Sequence, residues 1–207
     1  MTGLRYAPGV FECDTEDQAK AIILTPEAGV SPATRWAKET PYLADLIGPQ
    51  TGVLLDYGCG IGRMAKAVLE RSPGITEVIG VDQSVSMRTM APRYVDDPRL
   101  TVLSHDSLKY VQGSADAAIA VWVLQHCVGP AVDLARIRDI LKPGAILHVV
   151  NDFERAVPVT GGWWFRDAQN IRRLCATVFG EPEHYQTLDP AFVVPGDRSF
   201  YARYRRA

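Results

Sequence analysis

The chain has 207 residues, 47% of them hydrophobic, a length that suits one α/β domain rather than two of typical size. Its 22 basic and 24 acidic residues give a formal net charge of −2, which disfavours nucleic acid or an anionic membrane as the main partner. No run of about 18 uncharged apolar residues occurs, so we expect a cytoplasmic protein without a membrane-spanning helix.

The cysteines and histidines are scattered along the chain. The four cysteines lack the paired spacing of a zinc site or a disulfide framework, and the four histidines are equally dispersed. We therefore expect free thiols and no bound metal.

Residues 1–49 lack the regular pattern that follows them. Ser31-Pro32 and Thr40-Pro41 each place a capping residue before a proline, which is typical of helix starts. The sequence therefore predicts two short helices, over about 32–39 and 41–47. Residues 1–49 are expected to form an N-terminal helical cap that packs on a single domain spanning residues 50–207.

Beyond residue 50, short apolar runs alternate with helical patterns. The apolar runs, which suit the strands of a buried parallel sheet, occupy residues 53–55, 78–81, 100–103, 117–121 and 145–150. Apolar residues recur at three- and four-residue spacing, as in helices that cover a sheet, over residues 63–71, 84–94 and 130–141. This alternation predicts a doubly wound α/β fold.

The pattern changes after strand five. Residues 163–179 are predicted to form one helix, whereas 183–188 and 199–205 are predicted to form strands joined through Pro195-Gly196-Asp197. Their closeness favours an antiparallel pair at the sheet edge. The whole prediction is a seven-stranded, mostly parallel sheet with a C-terminal antiparallel hairpin.

The strongest chemical signal is the segment VLLDYGCGIGR at residues 53–63. A buried strand ends near Asp56, and Gly58, Gly60 and Gly62 then open a helix, so a ligand could lie directly on the backbone. A dinucleotide fingerprint places its third glycine three positions after the second, where this chain has the arginine that follows Gly62. The spacing therefore argues against a nicotinamide cofactor, and a purely structural glycine turn is the alternative.

This segment resembles the first motif of the class I S-adenosylmethionine (SAM)-dependent methyltransferases, an acidic residue followed by Gly-x-Gly-x-Gly after the first strand. In that family the loop cradles the methionine half of SAM. The resemblance therefore implies that SAM is the cofactor and that the loop contacts it through Asp56, Gly58, Cys59, Gly60 and Gly62.

Acidic residues also follow the next two strands. Asp82 lies 20 positions after Gly62, where a carboxylate can accept hydrogen bonds from both ribose hydroxyls. The resemblance implies that Gln83 lies along the adenine and that Met87 closes the pocket, with ordinary helix packing as the alternative for Met87. Asp106 and Ser107 match the family positions that contact the adenine, although Asp106 could instead cap the helix that follows.

The segment after strand four, which ends in Leu124-Gln125-His126, is similar to the Leu-x-His segment of the family. His126 is the candidate general base, because the transferable methyl group is expected near the end of this strand. A packed or surface histidine is the alternative. Trp122 and Tyr57 could face the sulfonium, since aromatic rings attract cations, or they could simply pack in the core.

Two further positions could complete the site. Arg35, in the cap, could pair with the methionine carboxylate of SAM, as cap residues do in some relatives; a solvated arginine is the alternative. Trp163-Trp164, after Gly161-Gly162, could line the pocket of the methyl acceptor or anchor the following helix.

The resemblance, which covers about residues 50–150, implies in-line transfer of the sulfonium methyl to a nucleophile held about 3 Å away. Leu141-Lys142-Pro143-Gly144 resembles a turn of many small-molecule methyltransferases, so we expect a small-molecule acceptor. The alternatives are a methyltransferase acting on RNA or protein, a SAM-binding protein without catalysis and, more distantly, a nicotinamide oxidoreductase. The sequence carries no signal for an oligomeric state or for a specific subfamily.

Overall fold

The apolar runs of the sequence form the parallel strands of one central sheet. The computed structural model describes residues 4–25, 29–167, 169–194 and 196–207. Its strands, in chain order, are β1 (Gly52–Tyr57), β2 (Ile75–Val81), β3 (Leu100–Leu103), β4 (Ala115–Val121), β5 (Leu141–Asp152), β6 (Arg155–Val159), β7 (Trp163–Asp167), β8 (His184–Thr187) and β9 (Ser199–Arg205).

Among these residues, one seven-stranded sheet has the strand order β3-β2-β1-β4-β5-β9-β8. Strands β1 to β5 pair in parallel, whereas β9 pairs antiparallel with both β5 and β8. The predicted fold, including the antiparallel edge, is therefore confirmed. The predicted turn between β8 and β9 includes Pro195, which lies outside the described residues.

Helices cover both faces of this sheet. They are α1 (Glu16–Ile23), α2 (Pro32–Ile47), α3 (Arg63–Arg71), α4 (Val85–Val95), α5 (Pro130–Ile140) and α6 (Ile171–Phe179). Neighbouring residues of a strand point to opposite faces. Accordingly, Leu54 packs in a core with α2 and α3, whereas Leu55 packs in a second core with α5 and α6. The carboxyl ends of the parallel strands therefore meet at one edge, between two covered faces.

The predicted pair of short helices in the cap is wrong, because α2 runs unbroken through Pro41. A proline inside a helix removes one hydrogen bond and costs about 3 kcal/mol. The buried residues Arg35, Glu39, Leu43 and Ile47 follow one another at four-residue spacing, so one packed face continues past the proline. Tertiary packing of this face outweighs the local cost.

The single helix predicted over 163–179 is also wrong. Residues 163–167 form β7, which pairs antiparallel with β6, and the helix α6 begins only after Asn170. Gly161 and Gly162 have φ angles of 86° and 77°, which provide the left-handed turn that a tight hairpin requires. This β6–β7 hairpin forms a small second sheet outside the main one.

The first residues of the chain also have structure that the sequence did not predict. Residues 4–25, here called the N-terminal segment, contain a 3-10 helix at Pro8–Phe11 and the helix α1. Tyr6 forms an isolated antiparallel bridge to Val159 of β6, and α1 packs on α2. In the described part of the chain, no helix is long and apolar enough to cross a membrane.

Candidate active site

The loop between β1 and α3 is bent sharply at its glycines. Gly58, Gly60 and Gly62 have φ angles of 75°, 54° and 87°, in the left-handed region that favours glycine. Gly58 has no room for a side chain, since a Cβ atom would lie 2.3 Å from Cγ2 of Val123. The alternating glycines are therefore required by the backbone of this loop.

Asp56 lies in β1, directly before this loop. Its side chain is buried, and Oδ2 accepts a hydrogen bond of 3.1 Å from the backbone N–H of Ala65 in the first turn of α3. Burial disfavours the charged form and raises the pKa of Asp56 to about 7. The carboxyl group thus ties the start of α3 to the sheet.

Asp82 follows β2 and faces the same loop. One carboxylate oxygen accepts from the backbone N–H of Gly60 at 2.8 Å, and the other accepts from that of Ser84 at 2.9 Å. Burial raises the pKa of Asp82, and the two backbone hydrogen bonds oppose that shift. Because each oxygen has a second lone pair, the carboxylate can still accept hydrogen bonds from a ligand.

The ends of β1, β2 and β4 enclose a cavity of about 530 Å³, here called the first cavity. Most of the residues singled out from the sequence line it. They are Asp56, Gly58, Cys59, Gly60, Asp82, Gln83, Met87, Trp122 and His126. A ligand-sized space with a buried carboxylate at its wall is typical of a small-molecule or cofactor site.

The structure does not bring Asp106 or Ser107 to the first cavity. A 3-10 helix, His105–Tyr110, starts directly after β3, and it leaves the Asp106 side chain exposed. His105 lines the cavity instead, with its ring edge-to-face against Tyr57 at a centroid distance of 5.3 Å. Burial lowers the pKa of His105, so its neutral form is favoured.

Tyr57 and Gly62 also lie outside the first cavity. The Tyr57 ring is fully buried, and its hydroxyl donates to Oδ1 of Asp133 at 2.7 Å. Of the two aromatic residues that could face a sulfonium, the structure therefore places only Trp122 in the cavity. Gly62 leaves no room for a side chain, because a Cβ atom there would lie 2.4 Å from Cγ2 of Val95. Its role is therefore in the backbone of the loop.

Arg35 is held away from the first cavity. Its guanidinium donates to the carbonyl oxygens of Thr25 and Val194, each at 2.6 Å, and lies 3.5 Å from the carboxylate of Glu39. Two other arginines do line the cavity, Arg63, the residue after the last loop glycine, and Arg136 of α5. The placement expected for Arg35 is therefore not found, because Glu39 and two carbonyls engage its side chain.

Glu39, which the sequence analysis did not single out, connects Trp122 and Arg63 behind the site. Its Oε1 accepts from the indole N–H of Trp122 at 2.7 Å and from Arg63 at 3.0 Å, although the side chain is fully buried. Trp122 has a φ of 58°, which is costly for a bulky residue and persists only where the surroundings impose it. Glu39 thus holds a strained residue at the end of β4.

The N-terminal segment closes the first cavity through Tyr6, Phe11, Ile22 and Ile23. Its anchor is Glu12, which accepts from the backbone N–H groups of Val85 and Ser86 at the start of α4. Hydrogen bonds from Ser86 lower the pKa of Glu12 to about 2. A carboxylate at a helix N-terminus is also favoured by the helix dipole.

A second cavity of about 610 Å³ adjoins the first. The two share Phe11, Ile22, Ile23, Trp122 and His126 as lining residues. The β6–β7 hairpin contributes further wall residues, among them Trp164.

His126 is part of the wall between the two cavities. Its Nδ1 lies 2.7 Å from the carbonyl oxygen of Ala156, and its ring centroid lies 5.2 Å from that of Trp164. A carbonyl oxygen only accepts, so Nδ1 carries the proton and Nε2 carries the lone pair. Burial lowers the pKa of His126, which keeps the ring neutral near pH 7.

The chain is similar to known proteins in sequence and in fold. Residues 55–149 match the family model described as methyltransferase domain. A stretch of 100 residues is 41% identical to an uncharacterized 37.1 kDa protein in transposon TN4556 of Streptomyces fradiae, covering 45% of this chain and 28% of that protein. Another of 115 residues is 31% identical to the ubiquinone/menaquinone biosynthesis C-methyltransferase UbiE of Syntrophotalea carbinolica, covering 54% of this chain and 48% of that protein.

A solved structure aligns over more of the chain. It is the 1,6-didemethyltoxoflavin-N1-methyltransferase of Burkholderia thailandensis, with bound 1,6-didemethyltoxoflavin and S-adenosylhomocysteine (SAH). It has a TM-score of 0.60 and 20% identity, and the alignment covers 83% of this chain and 80% of that one. Residues 55–149 are therefore similar to methyltransferase domains, and the chain shares the fold of this solved methyltransferase. It spans less than half the length of either curated relative.

The residues present fit SAM, the cofactor implied by the similarity to methyltransferases. The first cavity has a carboxylate, Asp82, beside a loop that has no side chain at Gly60. A Cβ atom at Gly60 would lie 2.8 Å from Cδ1 of Ile23, also a lining residue, so any side chain there would take up cavity space. Among the described residues, no group of three or more His, Cys, Asp or Glu side chains is placed to hold a metal ion.

Proposed function

We propose that the chain transfers the methyl group of SAM to a small-molecule acceptor, with the cofactor in the first cavity and the acceptor in the second. The observation that carries this proposal is the shared wall of the two cavities, which includes His126 and Trp122. A methyltransferase needs two adjoining compartments, because the acceptor must meet the methyl group at about 3 Å and in line with its bond to sulfur.

The chain's own residues would hold SAM at the edge of the sheet. Asp82 would accept hydrogen bonds from the ribose, Gln83 would lie along the adenine and Met87 would close the pocket from α4. Gly58 and Gly60 would allow the methionine part to lie against the backbone. When bound, SAM supplies a sulfonium methyl group that is already activated for displacement.

His126 is proposed as the general base. Because Nδ1–H is held by the Ala156 carbonyl, the lone pair of Nε2 can take the proton that leaves the attacking atom of the acceptor. The side-chain amide nitrogen of Gln125 lies 3.4 Å from Nε2, and this long contact must give way when Nε2 takes up the proton. The lowered pKa of His126 favours the neutral, proton-accepting form.

A small acceptor agrees with the size of the second cavity, about 610 Å³, and with two of the similar proteins. One is named for ubiquinone and menaquinone biosynthesis, and the other has 1,6-didemethyltoxoflavin bound. We further propose that residues 1–49 act as a cap on the catalytic domain of residues 50–207. In this role the N-terminal segment would shield both cavities from water, which strengthens electrostatic interactions within them.

The proposal can be tested by titrating the protein with SAH and, separately, with NAD in a calorimeter. SAH should bind and NAD should not, and labelled methyl groups should then pass from SAM to a member of a small-molecule library. The variant Arg138→Gln, which changes an exposed side chain of α5 outside both cavities, serves as a control and should bind SAH normally. Binding of NAD but not of SAH would overturn the proposed function.

A further inference from the structure

We propose, building on the function above, that the second cavity selects aromatic carboxylates as acceptors and that Arg166 binds the carboxylate group. The chemical class of the acceptor is thereby narrowed from a small molecule to a planar ring with an acidic substituent. Three features of the second cavity support this: the geometry of the β6–β7 hairpin, the charges of the wall and its aromatic side chains.

The β6–β7 hairpin places an aromatic side chain, Trp164, and a cationic side chain, Arg166, on the side of His126. In the β6–β7 pairing, Arg166 lies opposite Ala156 and Trp164 lies opposite Pro158. Residues two apart in a strand share a face, so Trp164 and Arg166 project on the same side, and both line the second cavity. The carbonyl oxygen of Ala156 holds the His126 ring, so one hairpin positions the base and the cationic side chain together.

The charged side chains of this wall are mostly basic. Four arginines and two acidic residues line the second cavity: Arg35, Arg155, Arg166, Arg198, Asp152 and Glu154. Arg35 is engaged by Glu39, and Arg155 forms an ion pair with Asp167. Asp152 accepts a hydrogen bond of 2.7 Å from the hydroxyl of Ser199.

Arg166 differs from Arg35 and Arg155, which are both held in ion pairs. In residues 4–25, 29–167, 169–194 and 196–207, its side chain makes no hydrogen bond or ion pair. Its positive charge acts to lower the pKa of both His126 and Asp152, which is consistent with a position near both. A guanidinium presents a planar fork that matches a carboxylate, so Arg166 can bind such a group through two parallel hydrogen bonds.

Aromatic side chains form the rest of the wall around His126. Phe11 lies 5.6 Å from the His126 ring and 6.1 Å from the Trp164 ring, measured between centroids. Trp164 is 44% exposed, an unusual state for an indole within a wall of rings. Such rings stack well on a planar ligand. A bound aromatic ring would cover Trp164 while its carboxylate pairs with Arg166 and its nucleophilic group faces His126.

The inference is tested by calorimetric titration with two matched probes, 4-hydroxybenzoate and its neutral amide, 4-hydroxybenzamide, in the presence of saturating SAH. We expect the acid to bind about tenfold more tightly than the amide, because only the acid can form a charge-assisted contact with Arg166. Arg166→Gln should remove this preference, whereas Arg138→Gln should keep it. Trp164→Ala should weaken both probes to a similar extent, because stacking does not depend on the charge of the ligand.

Equal affinities in the unmodified protein, absence of binding by either probe, or an unchanged preference in Arg166→Gln would overturn the inference. The same titrations without SAH separate this result from the proposed function. A preference for the acid in a protein that does not bind SAH would leave the anion site in place and overturn the methyltransferase assignment. Binding of SAH without any preference for the acid would overturn only the anion site.

Discussion

The two cavities are built in different ways. The first is formed by backbone and buried groups at the ends of adjacent strands, among them the glycine loop, Asp56 and Asp82. The second includes exposed side chains of the β6–β7 hairpin, Trp164 and Arg166, and this hairpin lies outside the main sheet. Asp56 is 2% exposed, whereas Trp164 is 44% exposed.

Because of this difference, we expect the first cavity to bind a constant ligand and the second cavity to select between ligands. A backbone wall cannot change its chemistry without changing the fold, so the first cavity suits a ligand that stays constant. A wall of exposed side chains on a hairpin can change residue by residue, so the second cavity suits a ligand that differs between relatives. Substitutions in the first cavity should therefore abolish function, whereas substitutions in the second should redirect it.

The largest effect is expected from Gly60→Val. Gly60 has a φ of 54°, where a β-branched residue is strained, and the new side chain would occupy the first cavity next to Ile23. Measurable SAH binding by calorimetry should be lost. The matched control is Gly113→Val, since Gly113 has a φ of 64° and an open surrounding, so it introduces similar strain away from the site. Normal SAH affinity in a folded Gly60→Val protein would show that the loop does not hold the cofactor.

A smaller loss, confined to turnover, is expected from His126→Ala. Without a positioned base, the rate of methyl transfer should fall by about 10², whereas SAH affinity should stay within about twofold. His184→Ala alters an exposed histidine of β8 outside both cavities and should leave turnover unchanged. A near-normal rate in His126→Ala would make this histidine structural.

The pH dependence of turnover sharpens the same prediction. Burial lowers the pKa of His126 from its ordinary value of 6.5, and only the neutral ring can accept a proton. The rate should therefore be constant near pH 7 and should fall on acidification, with a midpoint below 6.5. His126→Ala should lack this acidic limb. An acidic limb that persists in the variant would assign the titration to another group.

Asp82→Ala is expected to weaken SAH binding by about 1.5–3 kcal/mol, the scale of lost hydrogen bonds to a charged group. The carboxylate also ties the N–H groups of Gly60 and Ser84, so part of this loss would come from a looser loop. Asp106→Ala is the informative control, because sequence resemblance placed Asp106 at the adenine and the structure leaves it exposed. SAH affinity within twofold is expected for Asp106→Ala, and a tenfold loss there would favour the sequence-based placement.

The elements of the fold that depend on a short stretch of sequence could be predicted from that stretch. The strands β1 to β5, the antiparallel edge and the acids Asp56 and Asp82 all follow from apolar runs and the residues that end them. On the side predicted to contact adenine, His105 rather than Asp106 faces the first cavity, and the contact of Asp106 with adenine stays a prediction. A one-residue difference is within the uncertainty of where a strand ends and a short helix begins.

Other features depend on distant contacts that no local pattern records. Glu39 acquires its role only when α2 packs next to Trp122 and Arg63. Two signals were nevertheless present in the sequence. Thr15 and Gln18 have the spacing of a capping box, which marks the start of α1, and the run Trp163-Trp164-Phe165 favours a strand over a helix.

The smallest predicted effect concerns the N-terminal segment. Glu12→Gln keeps the shape of the side chain but removes its negative charge from the start of α4, so it should lower the free energy of unfolding by about 0.5–1 kcal/mol at pH 7. Exposure of Glu12 to solvent limits the effect to this range. The measurement is urea-induced unfolding, with Glu70→Gln as the control, an exposed acid on α3 that should change stability little.

The decisive test is how the difference in unfolding free energy between the unmodified protein and Glu12→Gln depends on pH. The pKa of Glu12 is lowered from 4.5 to about 2 in the folded protein, so its charge stabilises the fold fully above pH 4.5. On acidification the unfolded chain takes up the proton first, and the stabilisation fades as the pH falls from 4.5 toward about 2. The gap between the unmodified protein and Glu12→Gln should shrink over the same interval. A gap that is equally large at pH 7 and near pH 2 would show that the charge of Glu12 does not anchor the N-terminal segment, and that its neutral hydrogen bonds alone hold it to α4.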